Sequence, residues 1–174
     1  MPSPPPPDPL QQYAGLIHKV ASGYGRDAHD RDELVQEIAL QVWLARERYD
    51  PRFAATTWIY RIALNVAISW FRREQRYRRR RRPIDDDAVL AAPLPEPDER
   101  VAALLRAIDS LGAIDRALVL LHLDDLDHKA IGEVLGISPS NVGTRLARLR
   151  QRLRQRLTEH DDTPSVKDGD DGTR

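Results

Sequence analysis

The side chains with the clearest chemistry lie between Ser138 and Leu157. This stretch, SPSNVGTRLARLRQRLRQRL, holds Arg145, Arg148, Arg150, Arg152, Arg154 and Arg156 and no acid. A guanidinium is always charged, and its planar fork of donors matches phosphate geometry. Surface helices that carry arginine for solubility usually interleave it with acids. A run of this length without one points to a polyanion partner. The residues at its start fit the same chemistry. Ser138 and Ser140 stand where a helix N-terminus offers free N–H groups to phosphate. Asn141, Thr144, Arg145 and Arg148 follow at positions that reach base edges or phosphates, and arginine pairs with guanine as asparagine does with adenine.

No comparable set of residues supports a reaction. No nucleophile sits beside a base at a recognisable spacing, and no glycine-rich loop is placed to cradle a phosphate. The chain has no cysteine, which removes disulfide frameworks and thiolate metal sites. His122, Asp124, Asp125, Asp127 and His128 cluster in sequence, but on a loop-like stretch without ligand spacing, so they read as a solvated turn. The expectation is a binding protein with no catalytic residue, no metal and no cofactor.

The arginine run needs a scaffold, and Leu126 to Leu157 provides one. Ile131, Val134 and Leu135 recur at helical spacing. Gly136 breaks the pattern as a left-handed C-cap does. Ser138 is a good N-cap, and Pro139 occupies the first helical position, where its missing N–H costs nothing. Val142, Leu146, Leu149 and Leu153 then face inward. Helix, glycine turn and a capped basic helix make a helix-turn-helix, whose second helix enters a DNA major groove.

The 174 residues carry zero net charge, but the charge is segregated. Arg72 to Arg82 holds eight arginines and one acid, whereas Ile84 to Arg100 holds six acids and one arginine. Blocks of opposite sign cancel in the sum but not in their local fields. No apolar run is long enough to span a bilayer, and the proline-rich start lacks the pattern of a signal peptide, so a cytoplasmic protein without membrane insertion is expected. Along the chain, Leu16, Ile17, Val20 and Ala21 form an apolar stripe ending at Gly23 and Gly25, and Arg26 to Arg31 reads as a polar loop. Leu34, Val35, Ile38, Ala39, Val42 and Trp43 then face inward, with Asp32 and Glu33 in the first turn of their helix. Trp43 and Trp58 read as core. A long helix follows from Ala55 through Trp70 into the arginine run. Acids and prolines then mark a semi-stiff linker, beyond which helical spacing resumes at Val101.

Three stretches, the last of which includes the helix-turn-helix, carry a family resemblance. DELVQEIALQVW (Asp32 to Trp43), TTWIYRIALNVAISWFRR (Thr56 to Arg73) and LGAIDRALVLLHLDDLDHKAIGEVLGISPSNVGTRLARLR (from Leu111) resemble, in that order and spacing, sigma factors of bacterial RNA polymerase. The similarity is to the extracytoplasmic-function group of the sigma-70 family. It implies an all-α fold of two small helical domains. Residues 1–9 form a disordered lead-in. Residues 10–82 are a three-helix region 2, 83–97 an acidic flexible linker, 98–158 a four-helix region 4 with the helix-turn-helix, and 159–174 a disordered acidic tail.

The resemblance also implies partners. Asp32, Glu33, Leu34, Gln36 and Glu37 match the segment that docks on the clamp helices of core RNA polymerase, and the second domain would dock on the polymerase flap. Phe53, Thr56, Thr57, Asn65, Arg72, Arg73 and Arg76 match the region that melts and reads the minus-ten element of promoter DNA. Tyr49 to Thr57 would capture a flipped base there. The residues from Ser138 to Arg148 named above would read the minus-thirty-five element. The linker would thread the polymerase's RNA path, and an anti-sigma factor is a further partner. The rival reading is an autonomous helix-turn-helix regulator or a sigma-like protein-binding adaptor. The chain departs from the family in having Gly112 where proline is usual, Ala130-Ile131-Gly132 for Glu-Ile-Ala, Ser69 for a frequent aspartate, and Gly143 where a lysine is common.

Overall fold

A computed structural model describes residues 9–52, 54–80, 107–108 and 110–161, with side chains to residue 155. The lead-in before Pro9, Phe53, the linker at 83–97, the opening of the second domain and the tail beyond Asp161 lie outside the described residues. All regular elements among the described residues are helical. They are α1 (Pro9–Gln12), α2 (Ala14–Tyr24), α3 (Ala28–Ala45), a 3₁₀ turn (Arg46–Arg48), α4 (Ala55–Arg80), α5 (Ala113–Leu123), α6 (His128–Leu135) and α7 (Pro139–Asp161).

Local sequence explains most of the boundaries. Pro9 was expected in a non-helical lead-in, yet it opens α1 and is buried; a proline is tolerated at a first helical position. The expected loop from Arg26 to Arg31 is shorter than its polarity suggests. The Asp27 carboxylate accepts the Asp30 N–H at 2.7 Å, so α3 begins at Ala28 and Asp30, not Asp32 or Glu33, occupies its first turn. Asp127 caps α6 in the same way through the Ala130 N–H, also at 2.7 Å. At the other end of α6, Gly136 adopts the left-handed conformation, with φ 71°, and its N–H bonds to the Gly132 carbonyl. A side chain on Gly132 would place its Cβ 2.6 Å from the Ile137 carbonyl oxygen, so glycine permits this turn to close tightly.

In the first half, α2, α3 and α4 bury Ile17, Val20, Leu34, Ile38, Val42, Ile59, Ala63, Leu64 and Ala67. Trp43 departs from expectation, since it is 45% exposed. The inner stripe of α3 is filled at four-residue steps by Leu34, Ile38 and Val42, which turns position 43 about a third of a circle further away. Trp58 is half-buried and meets Tyr49 edge-on, 5.2 Å between ring centres.

The second half packs directly on the first, and one apolar core runs through both, from Ile17 to Leu146. The Tyr24 hydroxyl at the end of α2 donates to the Ala113 carbonyl at 2.6 Å. Arg116, buried on α5, donates to the Gly23 carbonyl at 2.9 Å and lays its guanidinium over the Phe71 ring of α4. Gly23 makes room for this approach, because a Cβ there would stand 2.6 Å from a Leu120 methyl. Asp124 is not part of a solvated turn. It accepts the Tyr60 hydroxyl from α4 and pairs with Lys19 of α2. His122 lies in the last turn of α5.

Both interface tyrosines have their hydroxyl pKa pushed up. For Tyr24 burial is the main cause, opposed by the nearby Arg116 and Arg72. For Tyr60 burial is again largest, reinforced by the hydrogen bond to Asp124 and its charge. The folded pKa lies above the unfolded value of about 10. Their contribution is therefore fully present below that pH and is lost as pH rises through and beyond it. The urea midpoint is expected to fall between about pH 9 and 11, and Tyr24→Phe with Tyr60→Phe should flatten that fall. An equally steep fall in the double variant would assign alkaline sensitivity elsewhere.

Candidate nucleic-acid interface

Val142, Leu146 and Leu149 of α7 are buried against α5 and α6. Ser138 caps α7, its hydroxyl accepting the Asn141 N–H at 3.2 Å. With that inner face fixed, Ser138, Ser140, Asn141, Thr144 and Arg148 are exposed and Arg145 is half-exposed. The candidates for reading duplex DNA therefore share one outward surface. The Thr144 hydroxyl is satisfied locally by the Ser140 carbonyl at 3.0 Å.

Tertiary structure divides the arginines, which the sequence shows as one run. Arg152 pairs with Asp115 at 2.7 Å and Arg150 contacts the His122 ring nitrogen at 2.8 Å, so these two tie α7 to α5. Arg145 and Arg148 have no hydrogen-bond or ion-pair partner among the described residues and keep their donors for a ligand.

A second basic surface runs along α4. Asn65, Ser69, Arg72, Arg73 and Arg76 are exposed on one side of the helix, at the three- and four-residue steps that make a stripe. Asn65, Ser69 and Arg73 line a groove of about 370 Å³ against Glu37, Gln41 and Ala45 of α3. Arg76 bends back to the Arg72 carbonyl at 3.3 Å. Before α4, the Arg52 guanidinium grips Asp50 at 2.6 to 3.0 Å and holds its carboxyl below the usual range. Thr56 is exposed beside this loop, but Thr57 is buried. It belongs to the same inner face of α4 as Tyr60 and Leu64, so as a base contact Thr57 is corrected to a core position.

On α3, Asp32, Glu33, Gln36 and Glu37 are exposed, whereas Leu34 is wholly buried and is not a docking side chain. Sequence reasoning missed three residues on the outer face, Leu40, Trp43 and Leu44, which are 50%, 45% and 60% exposed. Arg46 stacks over the Trp43 ring, 3.9 Å from its centre. The available signal was that α3 has apolar residues at helical spacing on two faces, more than one core can absorb.

The comparisons agree with this geometry. Residues 10–77 match the model of sigma-70 region 2, and residues 102–153 match that of sigma-70 region 4. The chain belongs to the sigma-70 family, in its extracytoplasmic-function group. The sigma factor is 34% identical over 157 residues to the ECF RNA polymerase sigma factor SigE of Mycolicibacterium smegmatis, covering 87% of this chain and 61% of that one. It thus spans about three fifths of that relative's length. Against CnrH of Cupriavidus metallidurans the identity is 28%, covering 83% of this chain and 82% of the other. Among solved structures, RpoE bound to the anti-sigma factor NepR from Bartonella quintana superposes with a TM-score of 0.65 at 18% identity, over 86% of this chain and 94% of that one. Sigma factors are specificity subunits of transcription initiation and not enzymes.

Proposed function

We propose that this sigma factor is a dissociable promoter-specificity subunit that binds core RNA polymerase and directs initiation at selected promoters. Residues 10–82 dock on the polymerase clamp and open the minus-ten element. Residues 98–158 dock on the flap and read the minus-thirty-five duplex, with the acidic linker at 83–97 between them. The observation that carries the reading is the outer face of α7, where Arg145 and Arg148 stand unpaired beside a serine-capped helix start while their neighbours Arg150 and Arg152 are used internally. Its place of action is the cytoplasm. No described helix is long and apolar enough to cross a membrane. The RpoE relative is seen with an anti-sigma factor, and a partner of that class is proposed here too.

Run-off transcription with core polymerase on genomic fragments tests this directly. Specific transcripts are expected only with both components, and footprints should be weak with the sigma factor alone and strong with core enzyme. A full-strength footprint without core polymerase would favour an autonomous regulator.

The clamp-docking surface extends beyond the acids to Leu40, Trp43 and Leu44. Exposed apolar residues grouped on one face mark interaction sites, and a buried tryptophan is a frequent anchor. Trp43→Ala is expected to weaken core binding by about 2 kcal/mol, roughly thirtyfold. Gln36→Ala with Glu37→Lys should also weaken it, and all these exposed sites should leave the circular dichroism melt unchanged. Normal core binding by both variants would move the docking site away from α3.

A further inference from the structure

The reading helix carries a glycine at position 143, one turn inside its start. The space beside it is occupied by the ring of His128, the first residue of α6. A Cβ built on Gly143 would stand 3.3 Å from His128 Cε1 and 3.4 Å from Nδ1. The imidazole therefore meets the α7 backbone with its Nδ1–Cε1 edge, and Nε2, the neighbour of Cε1, stays more than 4 Å from that Cβ. His128 is nevertheless exposed. It makes no hydrogen bond or ion pair among the described residues. Lys129 beside it is exposed as well.

We infer that His128 supplies, from α6, the DNA contact that position 143 of the reading helix cannot make, and that the contact is to a phosphate of the minus-thirty-five duplex. This rests on the proposal that α7 lies in the major groove. The choice of phosphate over base follows from where Gly143 sits on α7. Val142 and Leu146 point into the core, while Thr144 and Arg148 point away from it. Position 143 falls between the two, on the flank, because successive residues turn by about a hundred degrees. A helix in the major groove presents its outer face to base edges and its flanks to the groove walls, which are the phosphate backbones. An imidazole N–H is a suitable donor to a phosphate oxygen. Ser140, the proposed phosphate ligand at the start of α7, is one turn before Gly143, between that flank and the outer face. A longer side chain at 143 would have to displace the ring, so His128 and Gly143 act as a pair.

The test uses holoenzyme assembled with core polymerase on a promoter fragment recovered in the run-off assay, and on copies altered at single minus-thirty-five base pairs. His128→Ala is expected to lower affinity roughly three- to tenfold, the worth of one net hydrogen bond, and by the same factor on every fragment. His128→Phe keeps a ring against Gly143 but has no donor, and should lose as much. His128→Gln keeps an N–H and should lose less. Wild-type affinity with His128→Phe would overturn the proposal and leave a packing role. A loss confined to one altered base pair would overturn it in favour of base reading. Arg145→Ala is the control for the underlying assignment. If it too left affinity unchanged, the reading of α7 would fail; if only the His128 variants did, the failure would be confined to this inference.

Discussion

Replacing Arg145 and Arg148 together by alanine is expected to reduce promoter affinity of the holoenzyme by about 2 to 6 kcal/mol, at roughly 1 to 3 for each lost contact. Both guanidinium groups project from α7 without an internal partner, so their removal costs the fold nothing. Thermal melts should stay within about 0.5 kcal/mol of the parent, as for other exposed sites. The single variants carry the finer information. An arginine that pairs with a guanine should relax discrimination at that one base pair when removed. One that holds phosphate should weaken all sequences equally and lower the salt dependence. Arg150→Ala and Arg152→Ala make the contrast. Their contacts to His122 and Asp115 lie within the fold, so they should affect promoter affinity much less. Parent-level affinity for the Arg145/Arg148 double variant would remove α7 from the DNA interface.

Arg116→Met is expected to cost about 2 to 4 kcal/mol of folding stability, the largest effect predicted for a single charged residue here. Arg116 is 7% exposed. Its guanidinium donates to the Gly23 carbonyl at 2.9 Å and, at 3.4 Å, to that of Leu111, and it covers the Phe71 ring. Methionine fills much of the volume but leaves the carbonyls without this donor, and each unsatisfied group costs about 1 to 3 kcal/mol. Arg116→Lys should recover little, because an ammonium cannot reproduce the planar fork or its stacking on Phe71. Denaturant unfolding with a shared m-value reads the loss as a shift of midpoint. A midpoint unchanged in Arg116→Met would mean that the contact between α2 and α5 does not contribute to stability.

The sequence by itself determined most of the helical elements and pointed to the class of partner. The helix-turn-helix was legible because its signals are local. Ser138 as N-cap, Pro139 at the first helical position and Gly136 in the left-handed region each act within a few residues of their own position, and the structure has all three. The inward face of α7 was legible for the same reason, since helical periodicity is written along the chain, and Val142, Leu146 and Leu149 are buried. The absence of acids from Ser138 to Leu157 points to a polyanion partner without any coordinates, because net charge along a helix does not depend on what the helix packs against.

Only the tertiary structure decided which members of each pattern are free to act. Arg145 and Arg148 differ from Arg150 and Arg152 through Asp115 and His122, which are distant in sequence. Leu34 and Thr57 sit inside stretches proposed to bind polymerase and DNA, yet the core claims both, because a three-helix core fills whichever side chains face its axis. Trp43 goes the other way and is left outside by Leu34, Ile38 and Val42. The pairing of His128 with Gly143 is invisible in sequence, where a glycine shows only a missing side chain and not the ring that takes its place. Nor could spacing foretell that Asp124 of the region 4 match would join Tyr60 and Lys19 of the region 2 match. Such contacts depend on how whole helices meet, and that is set by packing over the full core rather than by any local run of residues.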